Sequence, residues 1–157
     1  MDITTLAAWG EFLGGIAVVI SLVYLASQIR QNSRLLQVST TVALGQGDIE
    51  ISKLVIEHPE VMRIFSVGAP NPESLSETER IRFDGYLLLC VRQFQQNYFV
   101  AQDGALKPAL WEGEVKALAC ILKQAGPRKW WDGVRFGFCD EFADFVDGLI
   151  REGEAAG

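Results

Sequence analysis

The chain has 157 residues, enough for one short anchor and one domain with a core of its own. Its formal net charge is -6, and from Arg30 onward its 14 basic residues stand against 18 of the 20 acidic ones, which argues against a nucleic-acid backbone as partner. A single histidine, His58, excludes a multi-histidine metal site.

The first predicted element is the apolar stretch from Leu6 to Ile29, LAAWGEFLGGIAVVISLVYLASQI. Phe12 to Ile29 carries no charge. As a helix these residues rise about 27 Å, close to the thickness of one hydrocarbon core. A single transmembrane helix is therefore expected, with residues 1–30 as the anchor. Arg30 and Arg34 follow the apolar run, whereas the N-terminal flank sets only the terminal amine against Asp2. The positive-inside bias then predicts an outside N-terminus and a cytoplasmic domain over residues 31–157. Trp9 and Tyr24 fall near the two ends of the span, where amphipathic rings favour the headgroup region. A cleavable signal peptide fits less well, because the first residues lack Lys and Arg and no A-x-A site follows the apolar run.

Along this helix Ala7, Gly10, Gly14, Ala17, Ser21, Tyr24 and Gln28 recur at alternating steps of three and four. They form one seam, and the Gly10–Gly14 pair allows another backbone to approach closely. The seam is the expected oligomer interface. Glu11 is costly inside an apolar span unless it meets the headgroups, a partner or a lumen, so it is the candidate pore or partner contact. The same register runs on through Gln31, Leu35, Val38, Val42, Gly45, Ile49, Ser52 and Ile56, so a nearly continuous helix is expected to leave the membrane and open the domain. Gly45 and Gly47 predict a kink or a close packing contact.

His58-Pro59 ends that helix, and Pro59 starts a short one, PEVMRIFSVG. APNPESL reads as a loop. Ser76 and Glu79 form a capping-box pattern that opens a long core helix, Glu77 to Gln102, with Phe83, Leu87, Cys90, Phe94 and Tyr98 on one face. Asp103-Gly104 breaks it. Pro108 begins the next helix, with Trp111, Val115, Leu118 and Leu122 inward and Gly126 as its C-terminal cap. Pro127 opens PRKWWDGVRFG, and a last helix spans Asp140 to Arg151 before a fraying tail. No alternation of period two occurs, so the fold class is all-α: a transmembrane helix continuing into a cytoplasmic helical bundle.

No catalytic or cofactor motif stands out: GxGxxG, the Walker A loop and GxSxG are missing. His58 has a sufficient role as a helix-ending residue. Cys90, Cys120 and Cys139 lack metal-type spacing and suit a reduced compartment, mostly as buried side chains on apolar faces. Glu112 with Glu114, and Asp140 with Glu141, read as solvated helix starts. Arg128, Lys129, Trp130 and Trp131 suggest either a patch lying on anionic lipid or, more simply, core tryptophans beside two solvated cations.

The stretch SLVYLASQIRQN, Ser21 to Asn32, resembles a widespread set of uncharacterised bacterial single-pass membrane proteins, in which a similar SLVYLxxQIRQN ends the span. His58 to Glu60, Pro72 to Arg80, Leu110 to Gly113 and Trp130-Trp131 match later features of that set in order. The resemblance implies an anchor with a helical domain and assigns no functional residue. Together these observations predict a membrane-anchored, non-enzymatic protein without cofactors or metal. Its partners would be the lipid bilayer and copies of itself; the alternatives are an accessory subunit of a larger membrane complex and an oligomeric channel.

Overall fold

The computed structural model describes residues 2–155, without the side chains of residues 4–8. The chain is all-α. Every regular element among the described residues is helical: α1 (Ile3–Glu57), α2 (Pro59–Gly68), α3 (Glu77–Gln102), α4 (Pro108–Leu122), α5 (Ala125–Val134) and α6 (Asp140–Ala155), with single 3-10 turns at Pro72–Ser74 and Arg135–Gly137.

By compactness the chain divides after Ser39 into two units. In the first, α1 is apolar and every side chain from residue 9 to 39 is exposed. α1 is also the one helix among the described residues long and apolar enough to cross a membrane. Packing puts the start of the compact unit at Thr40, beyond the Arg30 boundary expected from the charge pattern.

The second unit is built around α3. Its start is fixed locally, because the Ser76 side chain accepts from the Glu79 amide at 3.4 Å while the Glu79 carboxylate accepts from the Ser76 amide at 3.0 Å, closing a capping box. Its end is fixed by Gly104, whose φ of 70° a side chain would resist. Phe83, Leu87, Val91, Phe94 and Tyr98 are buried along α3. Phe94 and Tyr98 meet Trp111 of α4 and Phe142 and Phe145 of α6, with ring centroids between 4.9 and 6.4 Å apart. Such offset and edge-on pairs are worth about 0.5–1.5 kcal/mol each beyond their burial. Trp131 is fully buried and donates its indole N–H to Asp147 at 2.9 Å, so its polar atom is satisfied inside the core.

Helix ends follow the sequence closely at α2 and α3 and less closely further on. α4 ends at Leu122, and Gly126 is no cap: it lies in the first turn of α5, which starts before Pro127. The reason is tertiary. The Gly126 amide donates to the Ala69 carbonyl at 2.8 Å, and a Cβ there would overlap the Gly68 carbonyl oxygen, so α5 begins where it meets the end of α2. α6 runs on to Ala155 instead of fraying after Arg151. Its last turns are held by Ile150, which is buried, and by Glu154, which accepts from Arg128 at 2.8 Å.

Candidate functional site

Two features of the structure have the character of sites: the bare seam of the first unit and a polar cleft in the second. In the seam, Gly10 and Gly14 face open space, since a Cβ on either would meet nothing within 4 Å. Ala7 belongs to α1, but its side chain lies outside the described residues. Ala17 accepts a hydrogen bond from the Ser21 hydroxyl at 2.8 Å, which satisfies that hydroxyl within its own helix. The Gln28 amide donates to the Tyr24 hydroxyl at 2.9 Å and keeps its carbonyl oxygen and second N–H for another partner. Glu11 sits beside Phe12, Gly15, Ile16, Val19 and Ile20 along a shallow apolar groove. Among the described residues of the seam, the glycines, Ala17, Ser21, Tyr24 and Gln28 are exposed, as is Glu11.

The cleft, of about 240 Å³, lies between α4, α3 and the part of α1 that belongs to the second unit. Its polar lining comes from Asp48, Cys90, Gln93, Asn97 and Glu114, with Ser52 at its edge on α1. Gly47 admits it to the fold: a Cβ there would overlap the Gln93 side-chain amide, so only glycine lets Gln93 lie against α1. Gly45, by contrast, faces open space, and α1 passes through both glycines. Gln93 donates to the Leu44 carbonyl at 3.4 Å and to the Asn97 side-chain oxygen at 3.1 Å. Asn97, almost fully buried, lines the cleft with Glu114 and favours its charged form. The Gln93 amide ties α1 to α3, and Glu114 brings α4 to the same cleft.

No protein family, curated protein or solved structure matches this chain.

Burial pushes the Glu114 carboxyl above its ordinary value, the nearby Asp48 charge adds to the rise, and the Asn97 hydrogen bond partly opposes it. Burial raises Asp48 as well. Glu114 is consequently not a solvated helix start: it is half-buried and lines the cleft. Signals for this cluster existed in the sequence as Asp48 within an apolar helix and as the Gln93–Asn97 pair one turn apart, but nothing local says that α4 faces them. Burial also raises the Cys90 thiol, which disfavours the thiolate that a nucleophile or metal ligand requires. Cys120 and Cys139 are exposed rather than buried: Cys120 lies on the outer face of α4, and Cys139 precedes α6, where its sulfur accepts from Gln95 at 3.4 Å. Among the described residues no group of three His, Cys, Asp or Glu side chains is disposed to hold a metal ion. His58 is exposed, ends α1 with a non-helical backbone and lies 3.5 Å from Glu60.

The basic-aromatic cluster follows the simpler of its two readings. Trp130 and Trp131 are both buried, Arg128 holds Glu154 at 2.8 Å, and Lys129 is paired with Glu73.

Proposed function

We propose that this is a membrane-anchored, non-enzymatic protein whose spanning helix associates with copies of itself, acting as a structural or scaffold component. In this reading the helix lies in the inner membrane of a bacterium with the N-terminus outside, and the small helical domains are gathered on the cytoplasmic face. The observation that carries the reading is the open seam at Gly10 and Gly14 on a helix whose described side chains from residue 9 to 39 are all exposed. In hydrocarbon no hydrophobic force drives helices together, so close backbone approach and polar contacts must do it. Glycines with open space supply the first, and the hydrogen-bonding capacity that Gln28 keeps beyond its bond to Tyr24 supplies the second. The uncovered apolar surface meanwhile needs lipid as its solvent.

The experiment is the native mass of the full-length protein in mild detergent beside that of Gly14→Leu. A discrete oligomer for the natural sequence is expected, with the variant shifted towards the monomer by roughly tenfold in dissociation constant, about 1.4 kcal/mol. A monomer for the natural sequence would sink the reading in favour of an accessory subunit, whose partner would then co-purify from the native membrane. An oligomer indifferent to Gly14→Leu would place the contact elsewhere on the helix.

A further inference from the structure

Within the second unit, α1 has two apolar sides and the domain covers only one. Leu44, Ile51, Leu54 and Val55 are half-buried against the rest of the unit. Val42, Ile49 and Ile56 are not: they remain 56%, 53% and 76% exposed. These three recur at intervals of seven, and Gly45 and Ser52 fall between them at the complementary positions of the same heptad register. Apolar β-branched residues at one heptad position are the pattern of a two-stranded parallel coiled coil, and small residues at the other let the backbones come close. A Cβ on Gly45 would meet nothing within 4 Å, and the Ser52 hydroxyl is already satisfied by the Asp48 carbonyl at 2.9 Å, so neither position obstructs a neighbour.

We propose that residues 42–56 of α1 pair in parallel with the same residues of a second copy, with Val42, Ile49 and Ile56 as the seam and Lys53 of each copy reaching the partner's Asp48. The occupant is a second copy for two reasons. The inference rests on the self-association proposed for the spanning helix, and copies anchored by one and the same span present this stripe in parallel and at the same level. The charges fit that arrangement too. Asp48 precedes the Ile49 position and Lys53 follows the Ser52 position, the two flanks that oppose each other across a parallel, in-register pair. Asp48 lacks a lysine or arginine at ion-pair distance among the described residues, whereas Lys53 lies on the surface with only Glu50, one turn away at 2.9 Å. A second copy gives Asp48 the cation its own chain withholds.

The test uses the full-length protein in lipid nanodiscs, assembled from copies with natural nitrogen mixed with copies carrying heavy nitrogen, and a zero-length carbodiimide that joins lysine to carboxylate. The expected result is a Lys53–Asp48 product of mixed isotope, reduced at least tenfold in Ile49→Glu, whose substituted side chain is exposed and leaves the fold intact. The Lys53–Glu50 product within one chain serves as the positive control. An oligomer by native mass that gives no mixed-isotope product would overturn the pairing while leaving the spanning-helix reading in place. A mixed product that survives Ile49→Glu unchanged would overturn the seam. A monomer by native mass would remove both.

Discussion

The two units of this chain handle apolar surface in opposite ways. From residue 9 to 39 the apolar side chains point outward and find nothing of their own chain to cover them. From Thr40 onward most of the large aromatic residues turn inward, with Trp131 and Phe142 fully buried, although Phe136 stays on the surface. The same hydrophobic residue types serve both, so hydrophobic residue type does not separate the units; charge density, length of run and periodicity do. An unbroken apolar run demands another solvent or another chain, whereas apolar residues at helical spacing, interrupted by charge, can be covered by their neighbours.

The largest test of that contrast is Phe142→Ala against a substitution of equal size in the first unit. Phe142 touches Phe94, Tyr98, Trp131 and Phe138, so its removal is expected to cost about 3–5 kcal/mol in denaturant unfolding of the second unit. Phe12→Ala should leave that transition where it is.

A smaller and sharper test compares glycines. Gly126→Ala forces a methyl against the Gly68 carbonyl and strains the hydrogen bond to Ala69, with an expected loss of about 1–3 kcal/mol. Gly14→Ala meets open space in the single chain and should not move the thermal transition of the second unit at all. A thermal shift of similar size for both would contradict the division into two units.

The smallest effect is a pH dependence within the second unit, and it has two signs. Arg63 and Ser76 hold the Glu79 carboxyl down to about 2 from its ordinary 4.5, so the stability it contributes is complete above 4.5 and is lost as pH falls from there towards 2. Glu114 is raised above 4.5 by burial, so its penalty is missing below that value and grows as pH rises through its elevated one. Glu114→Gln should therefore flatten the decline of stability on the alkaline side of 4.5 and leave the acid limb unchanged, as read by denaturation midpoints across pH 3 to 8. If the alkaline decline survives in Glu114→Gln, burial of that carboxyl is not its source.

Much of the architecture was legible before any tertiary contact. The apolar run, the Pro59 start of α2, the capping box at Ser76 and the break at Gly104 each act within a few residues, so the sequence by itself determined the all-α class and most of the helix ends. Where partners are distant, it did not. Gly126 reads as a cap until the end of α2 is seen against it, and Glu114 reads as a solvated acid until α1 and α3 close over it. Residues 40–57 show why: they carry two apolar stripes on one helix, and helical periodicity marks both without saying what covers either. Only the tertiary structure decided that Leu44, Ile51 and Leu54 meet the domain while Val42, Ile49 and Ile56 stay bare, because that choice depends on which surface α3 and α4 offer, and neither lies nearby in the chain.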